Sequence, residues 1–210
     1  MRKFLLSILS IFVWTLAAQA QTPQEIVSRM EAELEKFDEN QGVAMTLDIK
    51  VPILGTMTTQ CYNLGDKTRM EANTMGMKVI TWDDGETEWT YTDKTNTVTI
   101  EKVKQSSSSS SNEGDMDMFD DILDGYDVSL KKEDAKAWYI RCKKKKGNAD
   151  KDAPKSMDIA VRKSDYFPLS LSATLSGVTM TMRNFSFGVT EKQVTFNLAD
   201  YPGATVEDKR

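Results

Sequence analysis

Apolar and polar residues alternate along most of this chain with a period of two, the mark of strands whose side chains point to opposite faces in turn. The cleanest run is 43–51, where Val43, Met45, Leu47, Ile49 and Val51 interleave with Ala44, Thr46, Asp48 and Lys50. Pro52-Ile53-Leu54-Gly55 turns the chain into a second alternating run at 56–64, and Gly65-Asp66 turns it into a third at 67–72. A hairpin follows over 75–91. Two runs rich in β-branched and aromatic residues flank Asp83-Asp84-Gly85-Glu86, and Asp-Gly tolerates the positive φ of a tight turn. In its second run Trp89 and Tyr91 share one face, while Glu88, Thr90 and Thr92 share the other. Further strands are predicted at 97–104, 126–131, 137–145 and 155–163. Two more carry Leu169, Leu171, Ala173 and Leu175, then Val178, Met180 and Met182. Phe185 and Phe187 fall out of phase with the last of these, which predicts a bulge or bend. A brief final strand is expected at 194–197, before Tyr201-Pro202-Gly203. Short strands joined by turns predict an antiparallel meander, not βαβ units.

Helical spacing occurs twice. Thr22-Pro23-Gln24-Glu25 is a helix start, with a capping Thr22, Pro23 at the first helical position and Glu25 completing a capping box. Ile26, Val27, Met30, Leu34 and Phe37 then fall on one face, and the helix is expected to fray over 38–42. The second helical stretch is 115–124, where Met116, Phe119, Ile122 and Leu123 share a face and acidic residues sit early, as a helix N-terminus favours. It follows the segment 105–114, whose six consecutive serines cannot bury apolar surface and read as a flexible loop. An apolar-faced helix behind such a loop suits a mobile lid.

The first twenty residues read as an export leader. Arg2 and Lys3 precede an apolar stretch at 4–18, and Ala18-Gln19-Ala20 offers the small residues of a cleavage site. The residue after the cut is Gln21, not the Cys that lipid attachment requires, so a single soluble domain over 21–210 is expected in the periplasm. Without Arg2 and Lys3 the chain carries 25 basic against 32 acidic residues, a formal charge of −7 that argues against nucleic acid as a partner. The run Lys143 to Lys146 is read as a solvated strand end, with a phosphate or membrane-headgroup contact as the alternative. An oxidising compartment permits a Cys61–Cys142 bridge, which would contribute ~4.5 kcal/mol on the chain-entropy model. Both cysteines sit on the apolar side of alternating strands, where free buried thiols are equally ordinary.

The chain contains no histidine, which removes the commonest general base, zinc ligand and activator of a serine nucleophile. No glycine-rich phosphate loop follows a strand, and the pairs Asp83-Asp84 and Asp120-Asp121 are adjacent residues that point apart. No catalytic residue, metal or cofactor is assigned. Methionine is the unusual component. Met45, Met57, Met70, Met77, Met157, Met180 and Met182 all take apolar strand positions, and Met116 lies on the predicted lid. Flexible, polarizable methionine lines surfaces that accept varied apolar shapes, although it also fills gaps in ordinary cores. The expected cavity is completed by Leu47, Ile49, Val79, Trp89, Tyr91, Ile159 and Leu171. Sequestering an acyl chain from water gains ~0.8 kcal/mol per methylene, while exchange with a membrane is nearly neutral. A carrier therefore needs an adjustable cavity and a cover that opens.

On the cleavable leader, the amphipathic first helix, the hairpin from Val79 to Tyr91 with its Asp84-Gly85 turn and Trp89-x-Tyr91, and the tail from Val194-Thr-Phe-Asn197 through Tyr201-Pro-Gly-Ala-Thr-Val-Glu-Asp208, the chain resembles the periplasmic lipoprotein-carrier family, LolA and its relatives. The resemblance implies a mainly β, α+β fold: an incomplete antiparallel barrel wrapped over the N-terminal helix and a short lid helix. It also implies a monomeric, non-enzymatic carrier that ferries acylated lipoproteins or lipids from the inner toward the outer membrane. An inner-membrane release complex and an outer-membrane acceptor would be its partners. The alternative is a module of the same fold that senses or binds such cargo without transporting it. One departure stands out. The family's lid-latching arginine aligns here with Gly65 or Asp66, and Arg69, the nearest substitute, alternates with Met70 toward a solvated outer face.

Overall fold

The computed structural model describes residues 21–36, 41–74, 76–103, 122–151 and 153–210. The expected leader, Phe37, the serine run and the lid residues Met116 and Phe119 lie outside the described residues.

Helix α1 (Pro23–Leu34) begins where its residues dictate. The Thr22 N–H donates to Glu25 Oε2 at 3.0 Å and the Glu25 N–H donates to Thr22 Oγ1 at 3.2 Å, a reciprocal capping box. Ile26, Val27, Met30 and Leu34 form its buried face. Six strands follow in series: β1 (Val43–Val51), β2 (Gly55–Leu64), β3 (Lys67–Thr74), β4 (Met77–Asp83), β5 (Thr87–Thr92) and β6 (Thr97–Lys102). After the short helix α2 (Ile122–Gly125) come β7 (Tyr126–Glu133), β8 (Ala137–Lys144), β9 (Ser156–Arg162), β10 (Pro168–Leu175) and β11 (Val178–Phe187). Helix α3 (Glu191–Val194), a 3-10 turn at Leu198–Asp200 and β12 (Thr205–Asp208) end the chain.

The twelve strands among the described residues belong to one sheet, ordered β12-β6-β5-β4-β3-β2-β1-β11-β10-β9-β8-β7. Every pairing is antiparallel except β12 with β6. The sheet stays open, with β12 and β7 as its edges, so the architecture is an incomplete barrel with helices.

Register fixes which side chains share a face, because paired residues project to the same side. Met45 pairs with Cys61 and Cys61 with Met70. Ile49 pairs with both Met57 and Met180, Met180 with Ala173, Ala173 with Met157, and Met157 with Cys142. All seven strand methionines therefore lie on one side. The buried face of α1 packs on that same side against Ile140, Cys142, Ile159, Val161 and Leu171, which makes it the inner face. The phase change at Phe185 is a bulge: between the pairs Ala44 with Ser186 and Thr46 with Arg183, the single residue Met45 of β1 opposes Asn184 and Phe185 of β11, and Asn184 takes a φ of 58°. With that extra residue absorbed, Phe185 packs against the same core as Met182.

Two expectations are corrected. The stretch 194–197 is not a strand: α3 ends there, and Val194 is buried in a cover over the outer face. The last strand is instead β12, which adds to β6 in parallel with Thr205 opposite Thr97. Trp89 and Tyr91 do not line the inner face. Trp89 pairs with Trp82 and Tyr91 with Ile80, whereas inward-facing Val79 pairs with Thr92. The aromatic pair is covered from outside by Phe196, stacked on Trp89 at 5.6 Å, and Tyr201, 4.2 Å from Tyr91 between ring centroids.

Candidate functional site

Helix α1 covers only part of the inner face. Beside it an open cleft of about 920 Å³ lies between α2, the loop joining β8 to β9, and strands β9, β10 and β11. Met157, Leu171, Ala173, Leu175, Met180 and Met182 line its floor, Ile122 and Tyr126 one wall, and Ala153 and Pro154 another. Asp124, Lys145, Asn148 and Asp150 are its polar groups. A mostly apolar concavity with a few polar groups, at the upper end of the usual volume for small-ligand sites, is suited to hydrocarbon with a polar end left near water.

The wall formed by α2 is held at both ends. The Ile122 N–H donates to Glu31 Oε1 at 3.1 Å, and Lys145 Nζ donates to the Leu123 carbonyl at 2.6 Å. The Lys145 N–H and the Asn148 side-chain amide both donate to the Gly125 carbonyl, at 3.0 and 3.3 Å. Ile122 is 2% exposed and belongs to the core cluster with α1, and Leu123 packs against that cluster. The described turn of the expected lid is thus anchored rather than hanging free, because a buried isoleucine and four hydrogen bonds fix it.

Of the residues expected to line a cavity, the cleft gathers Met157, Leu171, Met180 and Met182. Ile159 lies beneath α1 in the packed core. Met45, Leu47, Ile49, Met57, Met70, Met77 and Val79 continue the same inner face across β1 to β4, outside the cleft. Met57 and Met70 are exposed there. Ala173 and Leu175, in phase with Leu171, are lining residues whose strand alternation was the available signal. Tyr126, Ala153 and Pro154 carried none, since their place depends on how the β8–β9 loop folds back.

Cys61 and Cys142 are both free and buried. Four strands, β1, β11, β10 and β9, separate β2 from β8, so no bridge joins them. Burial pushes the Cys61 thiol up to about 11. Burial, helped by the carboxylates of Asp158 and Glu31, pushes Cys142 up to about 12. Neither is a nucleophile at neutral pH. Arg69 does face outward, but it is not solvated. Its guanidinium pairs with Glu71, donates to the Gln193 carbonyl at 3.2 Å, and lies 5.5 Å over both the Tyr62 and Trp82 rings. It fastens the C-terminal cover and cannot latch anything on the inner face. Asp83 and Asp84 are turn residues: Asp83 Oδ1 accepts the Gly85 N–H at 2.7 Å, and Asp84 Oδ1 accepts those of Glu86 and Thr87 at 3.0 and 2.8 Å.

Fold and cleft together define an open antiparallel sheet that carries an apolar site on its helix-bearing face. No family model matches the sequence, and no curated protein matches it. Solved structures do match. LprF from Mycobacterium bovis is similar over 81% of this chain and 96% of its own, at 8% identity and a TM-score of 0.50. Lipoprotein LppX from Mycobacterium tuberculosis is similar over 80% of this chain and 97% of its own, at 10% identity and 0.49. LolA superfamily protein NE2245 from Nitrosomonas europaea covers 84% of this chain and 99% of its own, at 11% identity and 0.31. What is shared with LprF at such an identity is the fold alone. No helix among the described residues is long and apolar enough to cross a membrane.

Proposed function

We propose that this protein is a non-enzymatic carrier of acyl chains, working in the periplasm and moving acylated lipoproteins or lipids from the inner toward the outer membrane. The observation that carries the reading is the cleft of about 920 Å³ floored by Met157, Leu171, Met180 and Met182. Methionine side chains re-pack around chains of different length and branching at little cost, which suits cargo defined by its hydrocarbon and not by its headgroup. Binding an acyl chain there gains ~0.8 kcal/mol for each methylene removed from water. Returning the chain to a bilayer loses almost nothing, so loading and delivery are both accessible from one site. Lys145, Asn148 and Asp150 stand where the polar end of the cargo would remain.

Native mass spectrometry of protein taken from its own exported compartment is expected to show an added mass that organic solvent extracts as an acylated compound. Incubation with labelled inner-membrane vesicles and unlabelled acceptor vesicles is then expected to move the label. Binding without delivery would assign the protein to the sensing alternative. Protein that carries no acyl compound and takes up none would overturn both.

A further inference from the structure

The turns of the sheet divide by charge. At one end, Asp66 joins β2 to β3, Asp83, Asp84 and Glu86 join β4 to β5, Asp134 joins β7 to β8, and Asp165 joins β9 to β10, with Lys136 and Lys163 among them. At the other end lie the β1–β2 turn, the β5–β6 turn with Asp93 and Lys94, the β10–β11 turn at 176–177 and the β8–β9 loop, as the pairs Val51 with Gly55, Thr92 with Thr97, Lys50 with Thr179, Ala173 with Met157 and Lys143 with Ser156 require. The end of β8 and that loop present exposed Lys143, Lys146, Lys151 and Lys155 beside the exposed Asp150, and the loop also walls the cleft. The lysine run first read as a solvated strand end therefore frames the mouth of the apolar site.

The same end carries the most exposed apolar side chains described. Ile53 is 105% exposed and Leu54 80%, side by side at the tip of the β1–β2 turn. Ile53 has a φ of 73°, where a β-branched side chain is strained and asparagine or glycine would relax. The tip thus holds an isoleucine in water on a backbone that disfavours it. At about 5 Å per strand step, four steps from β1 to β8, it stands roughly 20 Å along the rim from the lysines.

We propose that this end of the sheet docks on an anionic lipid bilayer, with Ile53 and Leu54 entering the boundary between headgroups and acyl chains and the β8–β9 lysines lying against the headgroups. Exposed apolar side chains combined with basic residues are the pairing that binds an anionic interface. The acidic turns at the far end are repelled by the same surface, which orients a chain of net charge −5 with its cleft toward the membrane. The docking rests on the tip and the lysines alone, so its failure leaves the cleft reading intact.

Sedimentation of the full chain with phosphatidylcholine vesicles, with and without phosphatidylglycerol, tests this. The protein is expected to bind the anionic vesicles, more weakly as salt rises, and to bind neutral ones at least tenfold less. Ile53→Asn with Leu54→Ser is expected to weaken binding at least tenfold. Ile53→Asn alone is expected to raise the melting temperature by relieving the backbone, so lost binding is not lost folding. Replacing Lys143, Lys146, Lys151 and Lys155 by Gln is expected to weaken anionic binding about tenfold or more and to leave neutral binding unchanged. No vesicle binding, equal binding to both compositions, or a tip variant that binds like the parent would overturn the proposal. So would a concentration-dependent dimer that the tip substitutions abolish, since the tip would then be a protein contact.

Discussion

Glu31 accepts the backbone N–H of Ile122 at 3.1 Å, a hydrogen bond that ties the middle of α1 to the start of α2. The wall of the cleft is therefore positioned by the same helix that fills the core beside it. Glu31→Ala is expected to cost about 1.5 kcal/mol, the usual worth of a hydrogen bond to a charged group. Amide exchange over 122–128 is expected to accelerate, read by hydrogen-exchange mass spectrometry, while exchange in β1 to β6 is unchanged. Protection at Ile122 equal to that of the parent would show that Lys145 and core packing hold α2 without Glu31.

The two faces of the sheet are expected to be energetically separate. Phe196 stacks on Trp89 and meets Trp82 edge-on at 5.3 Å, all on the outer face. Phe196→Ala is expected to destabilise by about 2 kcal/mol, less than for a fully buried ring, and to shift tryptophan emission to the red. Affinity of the cleft for an acyl probe is expected to stay within twofold. A joint loss of stability and acyl binding would place the aromatic cluster in the site after all.

The two thiols give a signed pH dependence. Burial raises both above their ordinary value of 9.0, Cys61 to about 11 and Cys142 to about 12, so the fold favours the protonated form. Their contribution is fully present below pH 9 and is lost as pH climbs through the folded values. Stability measured by denaturant midpoint is expected to fall above pH 9, and a Cys61→Ala, Cys142→Ala variant is expected to fall less steeply over that range. At pH 8 both thiols are expected to resist alkylation until the chain is unfolded. Rapid labelling of either in the folded protein would contradict their burial.

Local pattern carried much of this structure into the sequence. The capping box at Thr22 and Glu25, the alternation of 43–51, the Asp84-Gly85 turn and the bulge at Phe185 each depend on a few neighbouring residues, and each was legible for that reason. What alternation cannot convey is which of a strand's two faces the rest of the chain will cover. Trp89 and Tyr91 look like cavity aromatics until Phe196 and Tyr201, more than a hundred residues later, are seen to seal them from outside. Val194 and Phe196 alternate like a strand, but Val194 is the buried last residue of α3, and Phe196 presses onto that aromatic surface. The strand that does form, β12, is four residues long and exists only through β6. The cleft was legible as methionine content but not as a place, since its walls need the β8–β9 loop and α2 brought together by Lys145. The tip at Ile53 and Leu54 read simply as a turn.

Affinity against chain length most directly tests whether the cleft holds hydrocarbon. Titration of the protein with saturated fatty acids of increasing length, followed by calorimetry or probe displacement, is expected to lower Kd about fourfold per added methylene, the equivalent of ~0.8 kcal/mol. The gain is expected to stop once the chain outgrows the cleft, and Ala173→Trp is expected to move that limit to shorter chains. Binding that is absent, or a Kd that does not change with chain length in either protein, would contradict the account.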